Sequence, residues 1–475
     1  MRLPVRIFLV FVILLVGMWM HCAAAEEEGG GDFVAGPVVG AVTEKSARVW
    51  MQLRVAKPVT ITTFEVGGVG GGGGQVSQVS VDVEGPLPFV CDVPVNGLAP
   101  NRNYRIEVKL DDVRVKLPGA ERIISTSPSE GSEANFCVGL GSNVGTIHGR
   151  GTGRLFAEIE KQKPLPRAFL FLGNSASLPL KVEDWPRTNR QAVRVIADAY
   201  SKVRCEPDLQ GLFRTVPCYA VWNDLDFGVP GSDKTWIYKN EAWSVFQRFW
   251  PNPDWGTPEN PGCYCNFTIG DAEFFLLDSR MYRDADRSQK PAPSQARSQE
   301  PVGASMLGEK QLEWLKKSLV QSTATFKIIA CGSQLLAEPS DLQSDTWASF
   351  QPEQKDFRQW LFNSGITGVV FLSGGRFGEI TSVPPPPSSP SAPSSPTSET
   401  KAYPLFELTT GPLVGKTLQV APENPNRQKA AVLGNQFATL DFGGTREHRF
   451  VTLRLRDESG VVQVEQTLFA GQLKR

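Results

Sequence analysis

Four short and almost wholly apolar runs constrain this chain most: Phe169–Leu172, Phe274–Leu277, Phe326–Ala330 and Gly368–Leu372. A buried helix needs about ten residues or more, so apolar runs this short are read as strands covered on both faces. Between them lie stretches with helical spacing, Arg187–Val203 and Gly308–Ser322, the second carrying Leu312, Leu315 and Leu319 on one face. Strands alternating with helices predict a layered α/β domain over residues 134–475, whose functional loops follow the strand ends.

The first part of the chain obeys a different period. Ser46–Leu53, Val59–Val66, Gln75–Val83 and Tyr104–Leu110 alternate apolar and polar residues, so residues 33–125 are expected to form an all-β sandwich. The glycine run from Gly67 to Gly74 is expected as a hairpin tip. No Lys-Ser/Thr and no helix follow it, which argues against a phosphate-cradling loop.

Arg2 and Arg6, the apolar stretch Ile7–Met20 and Ala23-Ala24-Ala25 have the layout of a cleavable secretory leader over residues 1–25, and about 14 apolar residues is short for a membrane span. Export to the periplasm or outside the cell is therefore expected, with no span retained after cleavage. Taking Arg2 and Arg6 from the 49 basic residues leaves a balance of about −3 against the 50 acidic ones, which gives no reason to expect nucleic acid as a partner. The seven cysteines left after Cys22 are odd in number and do not form a disulfide framework. Cys205 and Cys218 are a candidate pair; Cys263 and Cys265, with no histidine near, are expected along one strand face rather than on a metal. Residues 284–303 are rich in Ser, Gln, Arg and Pro, and residues 384–400 are almost only Pro, Ser and Thr; both are expected as unstructured insertions, the second a solvated loop more readily than a docking motif. The strand-like runs Val451–Arg456 and Val462–Glu465 are expected to close the chain as a hairpin around Ser459 and Gly460.

One further set of residues carries the functional reading. After the strand-like run Val216–Val221 comes Trp222-Asn223-Asp224-Leu225-Asp226; Phe33–Thr43 with Ser46–Trp50, Glu273–Asp278, Ser279–Arg283, Leu307–Leu315, Lys327–Ala330 and Tyr403–Thr409 follow in fixed order. In this the chain resembles the PhoD-like alkaline phosphatases over nearly its whole mature length. The resemblance implies a layered metallophosphoesterase-like fold with an N-terminal β-domain, and phosphate-ester hydrolysis by metals held at strand ends.

Position by position, the resemblance also implies losses. The family's Trp-Asp-Asp-His-Asp appears with Asn223 and Leu225 in place of an Asp and the His, leaving Asp224 and Asp226. Its Gly-Ser-Cys corresponds to Gly141-Ser142-Asn143, its metal-bridging Gly-Asp to Gly173-Asn174, and its Ser-Gly-Asp-Arg-His to Ser373-Gly374-Gly375-Arg376-Phe377. Two metals about 4 Å apart need anionic bridges to offset their repulsion, and an amide such as Asn174 carries no charge. Only His148 and His448 remain in the mature chain. The expectation is a catalytically impaired relative with no metal cofactor, binding phosphate, a phosphate ester or an envelope protein. Asp224 and Asp226 would then cap loops or pair with Arg376, and Arg376 could draw an anion. Two alternatives stand beside this. One is an active phosphatase or phosphodiesterase using a reduced set of divalent metal, iron or calcium on Asp224, Asp226, Asn174 and Asn143; the other is a structural envelope component.

Overall fold

The computed structural model describes residues 32–67, 74–117, 122–144, 153–285, 303–338, 345–386, 402–415 and 417–474. The expected leader, the middle of the glycine run, His148 and all but the margins of the two insertions lie outside them.

The alternating segments pair into two facing sheets. Strands β1 (Phe33–Gly40), β2 (Ser46–Leu53) and β5 (Phe89–Asn96) form one; β3 (Val59–Glu65), β4 (Gln75–Val81), β6 (Asn103–Leu110), β7 (Val113–Arg114) and β8 (Ile123–Ser125) form the other. Every second residue points inward, and Val49, Met51, Ile61, Val93, Val95, Ile106 and Val108 make a core separate from the rest of the molecule.

The second unit is built on two six-stranded sheets. One has the order β11-β10-β9-β20-β21-β22, from β9 (Phe136–Gly141), β10 (Ala168–Leu172), β11 (Cys218–Val221), β20 (Gln436–Gly443), β21 (Phe450–Asp457) and β22 (Val462–Phe469). After a short two-stranded ladder of β12 (Gly256–Thr257) and β13 (Asn260–Pro261), the other has the order β14-β15-β16-β17-β19-β18, from β14 (Cys265–Ile269), β15 (Ala272–Leu277), β16 (Phe326–Cys331), β17 (Val369–Gly374), β18 (Glu379–Val383) and β19 (Leu405–Thr410). Strands β9 to β11 run parallel, as do β15, β16, β17 and β19. All four apolar runs thus lie in sheet interiors, buried on both faces as their composition requires. Aromatic rings fill the space between the sheets: Phe442 contacts Phe136, Phe274 and Phe326, and Phe267 stacks on Tyr219 and Phe274.

Helices cover the outer faces. Asn189–Arg204 begins after Thr188, whose hydroxyl accepts the N–H of Gln191, and Glu309–Gln321 buries Leu315 and Leu319. Both lie within two residues of the expected spans. The strand before Trp222 starts at Cys218 instead of Val216, because the Val216 N–H closes the preceding helix on Leu212. The candidate pair is not bonded: Cys218 donates to the Val216 carbonyl, and Cys205 lies against the Val34 carbonyl. Cys265 opens β14, whereas Cys263 precedes the strand, and both are buried. The terminal hairpin forms, turned by the Gly460 N–H on Asp457.

The two units are joined tightly. Trp50 Nε1 donates to the Arg248 carbonyl at 2.7 Å, and the Arg204 guanidinium lies over Trp250 (3.9 Å) and Trp50 (5.0 Å). Among the described residues no helix is long and apolar enough to cross a membrane.

Candidate functional site

The C-terminal ends of β9, β10, β11, β16 and β17 meet on one face of the double sheet, where the loops of an α/β fold place their chemistry. Two glycines allow the approach. Gly173 has φ +88°, and a Cβ there would fall 2.5 Å from Asn223 Cβ; a Cβ on Gly374 would meet Ser142 Cβ at 3.0 Å and the Gly332 carbonyl at 3.1 Å. All four segments predicted to carry the site, around Asn143, Asn174, Asn223 and Gly375, are brought together here.

Asn143 and Asn174 both adopt left-handed backbone, φ 54° and 55°, a conformation Asn tolerates better than most residues. Their side chains are committed to each other and to the protein. Asn174 Nδ2 donates to Asn143 Oδ1 at 2.9 Å, Asn143 Nδ2 donates to the Gly375 carbonyl at 3.1 Å, and Asn174 Oδ1 accepts the Leu225 N–H at 3.0 Å.

Asp226 is fully buried and saturated. It accepts the backbone N–H groups of Asn174, Ser175 (2.6 Å), Ala176 (3.2 Å) and Asn223 (3.0 Å), and the Tyr200 hydroxyl at 3.0 Å. It therefore ties the loop after β10 to the loop after β11. Burial pushes its carboxyl up to about 7, against the donors that favour the ionised form. Asp224 accepts the Leu225 N–H at 3.0 Å and the Gly231 N–H at 3.2 Å; burial, and then the Asp345 carboxylate, push it up while Arg280 pulls it down. The expected pairing of these acids with Arg376 does not occur. Arg376 is exposed at the end of β17 and forms no ion pair with a described residue. Arg280 is the guanidinium that Asp224 senses.

Arg280 was not among the expected site residues. Its side chain is wholly buried; Nε donates to Asn223 Oδ1 at 3.0 Å, Nη2 to the same oxygen and to Asp345 Oδ2, and Nη1 to the Ser232 carbonyl at 3.2 Å. Arg283 Nη2 lies 3.1 Å from Asp345 Oδ1, and the Ser333 hydroxyl reaches Asn223 Oδ1 at 3.3 Å. Burial opposes the charge on Arg280, yet Asp345 and Asp224 raise its pKa above the ordinary value; burial likewise opposes ionisation of Asp345, and Arg280 with Arg283 hold it low. One signal was legible: Asp278, Arg280 and Arg283 crowd directly behind the buried run Phe274–Leu277. Asp345 has no such marker, being one acid in a polar loop.

This donor set does not fit a two-metal centre. Both oxygens of Asp226 are covered by donors, the amides of Asn143 and Asn174 are spent on one another, and a guanidinium sits on Asn223. Among the described residues no three His, Cys, Asp or Glu side chains converge as metal ligands would. His448 is exposed beyond β20, whose Phe442 pairs with Phe136 at the start of β9, so it lies at the opposite end of the sheet.

A double sheet with helical outer layers, an N-terminal β-sandwich and a site at the strand ends define a metallophosphatase-type scaffold. A model of the PhoD-like phosphatase family matches residues 197–463, more than half of the 475 residues, and the chain belongs to that family. A domain of unknown function, DUF7800, matches residues 31–128. Among solved structures, PhoD superposes with TM-score 0.70 at 16% identity, covering 93% of this chain and 90% of that one. The purple acid phosphatase PPD1 from yellow lupin (Lupinus luteus) seeds superposes with TM-score 0.63 at 13% identity, covering 91% and 74%. At these identities the likeness is one of fold. No curated protein sequence matches the chain.

Proposed function

We propose that this member of the PhoD-like phosphatase family is catalytically impaired and binds an anionic ligand at its strand-end face instead of hydrolysing it. The observation that supports this reading is the occupancy of the positions that carry metal ligands in the family. Asn143 and Asn174 bond each other, Asp226 accepts five protein donors, and Asn223 receives a guanidinium. With no metal to acidify water or neutralise a developing phosphoryl charge, the hydrolytic step loses its main source of stabilisation. What remains for an anion is Arg376, exposed on the rim. The leader-like N-terminus adds the proposal that the protein acts after export.

The decisive experiment measures iron, zinc and calcium in the purified mature protein alongside hydrolysis of a phosphate monoester and a diester. The expected result is no stoichiometric metal and background rates. Two or more metals per chain, lost on Asp224→Ala together with measurable turnover, would establish the active enzyme in its place.

A protein partner is a second reading, favoured by one feature. Leu180, Val182 and Ile237 are exposed on loops that follow β10 and β11. These loops are braced from beneath by Trp185 against Tyr238 and Trp236, with the Tyr238 hydroxyl donating to the Pro186 carbonyl. Exposed aliphatic groups on a rigid aromatic base suit protein contact.

A further inference from the structure

We propose that Asn266 is the acceptor of an N-linked glycan whose first sugars lie in a polar groove at the end of the sheets away from the strand-end face; this rests on the export reading above. Asn266-Phe267-Thr268 is the only Asn-X-Ser/Thr triplet in the chain, the pattern that oligosaccharyl transfer in a secretory pathway requires, and its middle residue is not proline. The fold turns this triplet the right way. Strand β14 is at the edge of its sheet and pairs only with β15. Along it the residues alternate, so Cys265, Phe267 and Ile269 are buried while Asn266 is exposed and Thr268 half-buried on the outward face. Phe267 holds that register, stacked at 4.0 Å on Tyr219 and at 5.0 Å on Phe274. A slip by one residue would bury the amide and expose the ring.

The surroundings suit a sugar. Asn266 and Thr268 line a groove of about 960 Å³ together with Ser318, Gln321, Thr323 and Thr325. Hydroxyls and amides of this kind both donate to and accept from the hydroxyls of a sugar ring. Asp271 and Thr325, the residues just before β15 and β16, also line the groove, so a glycan there leaves the strand-end face clear. The transfer needs only what Asn266 offers. Its Nδ2 carries two hydrogens and donates one to Glu273 Oε1 at 2.7 Å, an exposed contact. In the reaction Nδ2 bonds to the anomeric carbon of a lipid-pyrophosphate-linked oligosaccharide, and the bond from that carbon to the pyrophosphate oxygen breaks. One Nδ2 proton passes to a base of the transferase, and the lipid pyrophosphate leaves. The second N–H remains, so the glycosylated amide keeps its donor to Glu273. At an edge strand the attached chain also covers backbone groups that would otherwise template pairing with another molecule.

The test translates the full chain in the presence of endoplasmic-reticulum microsomes. The expected product is protected from added protease and migrates as one slower band, which peptide N-glycosidase returns to the unmodified position. Asn266→Gln and Thr268→Ala should abolish the shift, and Thr268→Ser, which keeps the hydroxyl, should retain it. Transfer acts on the entering chain, so the readout holds even for a variant that does not fold. A protected chain with no shift, or a shift that survives Asn266→Gln, would overturn the proposal while export stands. A chain left open to protease would overturn the export reading and the glycan with it. Seating in the groove is read by hydrogen exchange over residues 318–325 of glycosylated protein from a secreting eukaryotic host, which should be slower than in Asn266→Gln protein. Equal exchange would place the sugars in solvent and overturn their seating in the groove.

Discussion

The two ends of the same pair of sheets hold buried arginine–carboxylate contacts of different kinds. At the end away from the site, Arg449 and Asp271 pair fork to fork, Nε to Oδ2 at 2.8 Å and Nη2 to Oδ1 at 2.7 Å, both buried, with the other guanidinium donors on the carbonyls of Ala134 and Gly444 and on Asn135. One charge meets one charge, and the pair ties β15 to β21. Beside it opens a polar groove of about 960 Å³, lined by Glu130, Glu133, Glu273, Lys327, Arg446 and Lys474 among others. At the strand-end face, Arg280 divides its donors among Asn223, Ser232 and Asp345, and Asp224 shares its field. The polar groove lies at the end where the fold does not place the positions that match the family's ligand pattern. At the positions that match the family's ligand pattern, polar side chains are hydrogen-bonded to one another.

The largest expected effects distinguish these two arrangements. Arg449→Ala leaves Asp271 buried and unpaired and should cost about 3–5 kcal/mol, whereas Arg280→Ala leaves a partly exposed Asp345 still beside Arg283 and should cost less. Replacing both partners is the discriminating step. Arg449→Met with Asp271→Leu should return most of that loss, because a one-to-one pair can be exchanged for packing. Arg280→Met with Asp345→Leu should not, because Asn223 and Asp224 are left without their cation. Equal recovery in denaturant titrations of the two double variants would erase the distinction.

Within the site, Asp226 and Asp224 should separate almost as sharply. Asp226→Asn turns an amide N–H₂ toward donors that had shared a carboxylate, so about 2–4 kcal/mol of stability should be lost in melts at pH 8. Asp224→Asn keeps an acceptor for the Leu225 or Gly231 N–H and should cost about 1 kcal/mol or less. Comparable losses would mean that Asp226 is not the tie between the β10 and β11 loops.

The sequence carried the scaffold but not the lock. Period-two alternation in Ser46–Leu53 and the unbroken apolar runs at Phe169 and Phe326 fixed layers and strand identity, since burial alone decides those patterns. Strand-end positions were legible through the family pattern around Trp222, and the structure gathers them on one face. The partners were not legible. Arg280 reaches Asn223 across 57 residues and Asp345 across 65, and such pairings depend on how the sheets stack, which no local period records. Asp226 was expected to cap a loop or to meet Arg376; its role as acceptor for a loop 52 residues earlier follows from β10 lying beside β11.

A smaller effect concerns pH. Burial pushes Asp226 and Glu407 up to about 7 each; Glu407 accepts the N–H groups of Leu335 and Leu336 at 2.7 Å and is raised further by the nearby Glu379 carboxylate. In the unfolded chain both titrate near the ordinary carboxylate value, so between about pH 4 and pH 7 the folded protein binds more protons. Stability should thus fall as pH rises through that window and level off above it. Melting curves from pH 5 to pH 8, about one unit apart, check the sign. A midpoint that climbs with pH would show that the donors around these carboxylates outweigh burial.

The smallest expected effect lies at the one site cation not built into the lock. Arg376 leaves β17 exposed and forms no ion pair with a described residue, so an anion that binds there has no internal carboxylate to displace. It also has no buried surroundings to strengthen the contact, because exposed charges act through water and are screened over about 10 Å at 0.1 M salt. Phosphate at millimolar concentration should therefore raise the melting midpoint by only a degree or two, since a ligand stabilises in proportion to the logarithm of its saturation. Added salt should remove the shift, and Arg376→Ala should abolish it without changing the midpoint in the absence of phosphate. Arg446, exposed on the rim of the groove at the opposite end, supplies the internal control: Arg446→Ala should leave the phosphate shift intact. If Arg446→Ala abolished the shift and Arg376→Ala did not, phosphate would be binding at the end away from the strand-end face, and Arg376 would not be its site.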